Sequence, residues 1–214
     1  MKVQGFSVGP FQENTYLVID EQAKRAVLID PGDEVPRLLR ALDASGATLD
    51  AIWVTHGHMD HVGAIAAVLR ARPVPVLMHP GDLPRYRAAG EHGLAFGATI
   101  EQPPDPTAAL VDGERLRVGE LEFTVMHAPG HSPGHVVIHG NGVAFVGDCL
   151  FAGSIGRTDL PLANGAQLTA TLERIAALDP ATVVYSGHGP STTIARERAS
   201  NPFLNGAARI ALGR

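Results

Sequence analysis

The sequence predicts an α/β fold in which two sheets pack face to face with helices outside. Three observations predict it. Short apolar runs of strand length, punctuated by Gly and Pro, fill the first thirty residues. Helix and strand patterns then alternate, and a second series of strands followed by helices begins near residue 115. The chain therefore reads as two similar α/β halves, and stacking their sheets uses these elements economically. At 214 residues it is long enough for one sizeable core, and residues 1–214 are expected to form a single domain.

Residues 2–8, 15–20 and 25–30 are rich in Val, Ile and Leu and are separated by Gly9-Pro10 and by a polar stretch at 21–24. Apolar residues at 35, 38, 39 and 42 have helical spacing. Residues 49–54 form the next strand, 55–61 a polar loop, and the Ala-rich 62–69 a helix. Residues 74–78 are a buried strand closed by Pro80-Gly81. From 80 to 106 the many Gly and Pro residues predict one short helix followed by loop. Strands are expected at 115–118, 121–127, 135–139 and 143–146, with Gly119-Glu120 and Gly140-Asn141-Gly142 as tight turns. A helix over 164–178, a strand over 182–185 and a helix over 192–199 complete the chain.

Composition excludes several classes. The apolar fraction of 45% and the lack of any three-residue period exclude disordered and collagen-like chains. A net charge of -5 argues against a broad nucleic-acid face. No run approaches the roughly 20 apolar residues of a membrane span, and the N-terminus lacks a signal-peptide core. The single cysteine, Cys149, precludes an internal disulfide and suits a reducing cytoplasm. It opens the apolar Cys149-Leu150-Phe151 and is expected to be packed. Ten histidines are the unusual feature.

The densest group of them is Thr55-His56-Gly57-His58-Met59-Asp60-His61, between a buried strand and a helix. Imidazole and carboxylate donors suit zinc, iron or manganese. Gly57 permits a sharp turn, so His56 and His58 can face one way and Asp60 and His61 another, feeding two metals. One or two histidines alone would read as a solvated loop; this spacing does not. Other apolar strands also end in donor residues: His127, His131 and His135 in one segment, Asp148 after Gly147, and His188 in Gly187-His188-Gly189-Pro190. Each alone is weak, since a strand-end aspartate is usually a cap or turn residue. Together they deliver His and Asp to one edge. Spacing does not choose between His127 and His131.

The Thr-His-Gly-His-x-Asp-His core, Pro-Gly-His-x-Pro-Gly-His over 129–135, Gly147-Asp148 and Gly-His-Gly-Pro over 187–190 resemble the metallo-β-lactamase-fold hydrolases. The similarity is greatest to their short bacterial glyoxalase II-like branch, related to hydroxyacylglutathione hydrolases, and runs from the first strands to Asn201-Pro202-Phe203. It implies a four-layer αββα sandwich with two mixed sheets. It also implies that His56, His58 and His131 hold one metal, that Asp60, His61 and His188 hold a second, and that Asp148 bridges both. Asp60 and Asp148 are then the carboxylates at the centre of catalysis. His127 and His135 become supporting candidates behind the ligands. His79, His92 and His139 have no motif context and are taken as ordinary.

The implied enzyme is a binuclear metal-dependent hydrolase of small-molecule thioesters such as S-lactoylglutathione, with zinc as the expected metal and iron or manganese as alternatives. Two divalent ions about 3.5–4 Å apart share a hydroxide as nucleophile, with a pKa lowered toward ~7. Two carboxylates leave the paired ions with positive charge for an oxyanion. A thiolate leaves without much general-acid help. The absence of Gly-x-Ser-x-Gly excludes an α/β-hydrolase mechanism. Arg157 is a candidate substrate contact that could instead pair with Asp159, and Tyr185 is a second candidate contact or a core residue.

Full-length glyoxalase II enzymes recognise glutathione partly through a C-terminal helical region. Only a short tail follows His188 here, with Arg196, Arg198, Arg209 and Arg214 as its basic residues, so another thioester is an alternative substrate. Sulfur dioxygenases acting on glutathione persulfide look similar and use a single iron at positions matching His56, His131 and Asp148. They are the rival reaction class. Nucleic-acid processing lacks the basic track it needs. Residues 194–204 could contribute to a homodimer or pack on their own domain, so a monomer or homodimer is expected. Elemental analysis of the purified chain is expected to find close to two metals per chain; a chain purified without metal that hydrolyses thioesters equally well would exclude this chemistry.

Overall fold

The computed structural model describes residues 1–210; Arg214 lies outside them. The first sheet has the order β1 (Lys2–Val8), β2 (Glu13–Asp20), β3 (Arg25–Ile29), β4 (Thr48–Val54), β5 (Val76–Met78) and β6 (Ala108–Ala109). β1 to β3 are antiparallel neighbours, whereas β3, β4, β5 and β6 run parallel. The second sheet places β7 (Arg115–Val118), β8 (Leu121–His127), β9 (Val136–Gly140) and β10 (Val143–Gly147) beside β13 (Val183–Ser186) and β14 (Thr192–Thr193). Its β10–β13 pair is parallel, so both sheets are mixed. The short hairpin β11 (Leu150–Phe151) and β12 (Ser154–Ile155) stands apart from both.

Alternation along the strands builds the layers, because successive side chains point to opposite faces. Val18, Val27, Ile29, Ala51 and Trp53 of the first sheet meet Phe123, Val125, Val136, Ile138 and Phe145 of the second. Their neighbours Leu17, Ile19, Leu28, Ile52 and Val54 face the other way, onto Leu42 of α1 (Val35–Ser45), Val62 of α2 (Met59–Val62) and Ile65 and Val68 of α3 (Ile65–Ala71). On the far side, Met126, Val137, Ala144, Val146 and Val184 pack against Leu168, Leu172 and Ile175 of α6 (Gly165–Ala176) and Ile194 of α7 (Ile194–Ser200). The result is the expected α/β/β/α sandwich.

The elements differ from expectation where signals are short. The expected polar loop 55–61 gives way at Met59 to α2, whose buried Met59 and Val62 are three residues apart on one turn. The segment 80–106 holds a 3-10 turn, Pro80–Asp82, and two helices, α4 (Leu83–Arg87) and α5 (Ala89–Ala95), where one was expected. Four two-residue strands, β6, β11, β12 and β14, are too short to show periodicity. The turn at Asn141-Gly142 has two positive φ angles, 52° and 77°, as a tight hairpin requires. Helix α7 packs on its own sheet through Ile194, and its buried Glu197 accepts from the Thr192 hydroxyl (2.6 Å) and the Gly153 N–H (2.8 Å). No described helix is long and apolar enough to cross a membrane.

Phe145 lies between the sheets, with ring centroids 5.5 Å from Tyr16 and 5.3 Å from Tyr185. Phe145→Ala is expected to cost about 3–5 kcal/mol in urea unfolding, by lost transfer energy and the cavity left behind; a cost under about 1 kcal/mol would contradict this packing.

Candidate metal centre

The donors arrive at one edge because parallel strands end together. β4 runs into Thr55-His56-Gly57-His58, and α2 then carries Asp60 and His61. β10 ends at Gly147 and delivers Asp148, while its parallel neighbour β13 delivers His188. His131 comes from the connection between β8 and β9. Gly147 has φ +46°, and a Cβ there would lie 2.5 Å from the Thr55 hydroxyl and 2.6 Å from His135 Nε2. Only glycine lets the chain turn so close to β4.

Of the three donor groups that result among the described residues, two consist of predicted residues alone. His56, His58, His131 and Asp148 offer donor atoms within 4.8 Å of one another, and so do Asp60, His61 and His188. In the first group, His58 Nδ1 lies 2.9 Å from His56 Nε2 and 2.9 Å from His131 Nε2. Asp148 stands between the groups. Its Oδ1 is 3.4 Å from His61 Nε2, and its Oδ2 is 3.5 Å from His131 Nε2 and 3.6 Å from His188 Nε2. His188 Nε2 is 3.3 Å from Asp60 Oδ2.

The remote ring nitrogens explain why the lone pairs face inward. The Thr55 hydroxyl donates to Asp30 Oδ2 (2.5 Å), so it accepts from His56 Nδ1 (3.0 Å) and leaves Nε2 unprotonated. His131 Nδ1 donates to the Arg157 carbonyl (3.0 Å), and His61 Nδ1 donates to Asp30 Oδ2 (3.0 Å). His188 Nδ1 faces the Gln12 carbonyl at 3.3 Å. Hydrogen bonds of this kind fix the tautomer of metal-binding histidines.

Burial depresses His56, His58 and His131 below their ordinary value near 6.5, keeping them neutral. Burial would also depress His61, but Asp148 and Asp60 outweigh it and raise this group. Burial alone would raise the Asp148 carboxyl, yet His61, His131 and His188 hold it well below the carboxylate range. The donor set fits divalent cations. His61 Nε2 and Asp148 Oδ1 are buried, 3.4 Å apart and without any hydrogen-bond partner. Such orphaned groups are costly unless something charged satisfies them.

The remaining predicted residues fall outside these groups. His135 is wholly buried and stacks on His56 at 4.7 Å; its Nε2 accepts from the Asp148 N–H (3.1 Å), a supporting position. His127 points away from the donors, with Nε2 2.9 Å from the Pro133 carbonyl and its ring stacked on His79 at 4.2 Å. The Arg157 guanidinium makes two 2.8 Å contacts to Asp159, and it is the Arg157 carbonyl that touches the site. Tyr185 stacks on Phe145 among the residues between the sheets, the core position weighed against a substrate contact. Cys149 is buried, with Sγ 3.4 Å from His135 Nδ1, and burial pushes its thiol up.

Sequence reasoning missed Asp30, Thr55 and Glu13. Asp30 lies within 4.8 Å of donors on His56 and His61, but its oxygens are already taken by the Thr55 N–H (2.7 Å), the Thr55 hydroxyl and His61. Buried Glu13 approaches His61 Nδ1 at 3.7 Å. Asp30 carried a usable signal, since it ends an apolar strand just as Asp148 does.

The Metallo-beta-lactamase superfamily profile matches residues 8–188, spanning every donor named above. The chain belongs to this superfamily. A curated relative, "Hydroxyacylglutathione hydrolase GloC" of Haemophilus influenzae, is 35% identical over 96% of this chain and 99% of its own length. The crystal structure of TTHA1623 in a di-iron-bound form is 45% identical, with a TM-score of 0.87 over 94% of this chain and 100% of that one. The BLEG-1 B3 metallo-beta-lactamase is 36% identical, with a TM-score of 0.88 over 95% and 99%.

If the orphaned donors bind ions, chelation must expose that cost. At a hundredfold excess over Kd a bound ion contributes about 2.7 kcal/mol, so a strong chelator is expected to lower the melting temperature by roughly 5–10 °C. Because burial lowers the first group's imidazoles, ion retention there should persist through pH 7 and fail only on acidification below their ordinary value. His61 and His188, raised by neighbouring Asp148 and Asp60, hold protons to higher pH and should release an ion first. Thermal melts with and without chelator across pH check both; coincident melts at pH 7 would contradict them.

Proposed function

We propose that the chain is a two-metal hydrolase of thioesters, S-lactoylglutathione among them. The observation that carries this reading is the pair of donor groups joined by Asp148. The kinship with GloC supports the substrate class. His56, His58 and His131 would hold one ion, Asp60, His61 and His188 the other, with Asp148 shared between them. We assign zinc as the metal, with iron, as in the di-iron-bound relative, and manganese as alternatives.

Divalent ions held there would supply Lewis acidity toward a substrate carbonyl and lower the pKa of water. The chain's own part is to orient and to set charge. Asp60 and Asp148 offset half the charge of two such ions, leaving a site that favours the oxyanion formed on attack at a thioester carbonyl. His135 fixes the Asp148 backbone, and Asp30 fixes His61. A cavity of about 260 Å3 opens beside Asp60, lined by Val8, Pro10, Phe11, Asp33 and Ile100, with room for the small acyl portion of a substrate. The lone cysteine, fully buried, accords with a reducing cytoplasm as the place of action.

The glutathione persulfide dioxygenase reading requires one iron on His56, His131 and Asp148. Such dioxygenases keep most of these His and Asp residues, so metal content separates the two readings; kinship with GloC over nearly the whole chain favours the hydrolase.

A panel of thioesters with and without glutathione, run beside elemental analysis, tests the proposal. Thiol release with two metals per chain is expected. Asp148→Ala should lose bound metal and activity together, beyond the roughly 10–100-fold typical of an outer partner. A single iron with persulfide-dependent oxygen uptake would overturn the hydrolase in favour of the dioxygenase.

A further inference from the structure

Asp82 closes the 3-10 turn Pro80–Asp82 after β5 and is wholly buried. Three donors surround its carboxylate. Oδ2 accepts from the Gly57 N–H at 2.8 Å and from the Ser132 hydroxyl at 2.7 Å, and Oδ1 accepts from the Gly134 N–H at 2.6 Å. Gly57 sits between His56 and His58, and Ser132 follows His131. One carboxylate therefore grips both chain segments that carry the three imidazoles of the first donor group. The approach is close: a Cβ on Gly57 would lie 2.9 Å from the Asp82 carbonyl oxygen, and one on Gly134 would collide with the Asp82 nitrogen.

The second donor group is anchored elsewhere. His61 is held by Asp30, and His188 faces Gln12. Neither anchor is a partner of the Asp82 carboxylate. Asp82 is thus placed to act on one group and not on the other.

We propose that Asp82 is a positioning residue that sets the ion affinity of the His56, His58 and His131 group independently of the second group. The proposal rests on the two-metal reading. A carboxylate offers acceptors on both oxygens, whereas an amide offers one oxygen and presents N–H donors at the other position. Asp82→Asn therefore sets donor against donor on one side and releases one ligand segment.

The test is a cobalt(II) titration of the full chain against a competing chelator, read by visible absorption. His188→Ala, which deletes a donor of the second group, identifies which equivalent is which. Asp82→Asn is expected to weaken the first group's equivalent by about 10–100-fold, as loss of an outer partner does, and to leave the other unchanged. Ser132→Ala, which removes one donor and keeps the carboxylate, should shift the same equivalent by less. Two unchanged equivalents would overturn the proposal. So would two equivalents weakened alike, the mark of a merely structural role. If Asp82→Asn does not fold, Ser132→Ala decides, and its failure to weaken the first equivalent counts against Asp82. A wild-type chain that takes up one equivalent defeats the two-metal reading; Asp82 then stands only if Asp82→Asn weakens that equivalent.

Discussion

A charged carboxylate kept inside the protein, at Asp148, is the constraint on which the rest of the site depends. The effective penalty for burying one ion is several kcal/mol, and it must be offset locally. Three imidazoles ring this carboxylate, His61 at 3.4 Å, His131 at 3.5 Å and His188 at 3.6 Å. These distances exceed those of good charge-assisted hydrogen bonds, near 2.7–2.9 Å. The groups are gathered without being bonded to each other, and Asp148 Oδ1 and His61 Nε2 remain without partners. That is how ligands of a common cation stand.

The same constraint works outward through the next shell. A lone pair can face a cation only if the other ring nitrogen carries the proton, and an acceptor behind the ring holds it there. Of the five histidines His58, whose Nε2 is buried without a partner, is the exception. Asp30 serves two of them at once, His61 directly and His56 through the Thr55 hydroxyl. The Arg157 carbonyl serves His131. A residue read from the sequence as a candidate substrate contact is thereby recruited as an acceptor. Arg157 illustrates the point: its charge is spent on Asp159, while its backbone oxygen orients a donor.

The sandwich and the donor residues were legible in the sequence because both leave local marks. Alternation such as Leu17-Val18-Ile19 sorts side chains onto two faces, and His56-x-His58-x-Asp60-His61 packs donors into one loop. What was hidden is non-local. Nothing near Asp82 in the chain announces that its partners are Gly57, Ser132 and Gly134, because those bonds exist only after the sheets have stacked. Spacing alone did not separate His127 from His131; the family resemblance did. The structural difference is that His127 is still on strand β8, turned onto His79, while His131 has passed the end of the sheet. Tyr185 sits on β13 only three residues before His188, yet the pleat turns it into the core.

Docking of the two sheets is also what assembles the site. β3 and β4 run parallel in the first sheet, as β10 and β13 do in the second, so four strand ends open on the same edge. Asp30, His56, His58, Asp60 and His61 belong to the first half, and His131, Asp148 and His188 to the second. Neither half owns a complete set. The apolar faces that meet at Trp53, Phe123 and Phe145 need no ion to associate, since burial of aromatic surface drives that contact. The core can therefore bring the donors together first, and an ion that binds both halves then stabilises the docked state over the separated one. Ion binding and sheet packing then add in one free energy of folding, and an ion held by donors of both halves raises the cost of parting the sheets by as much as its own binding supplies.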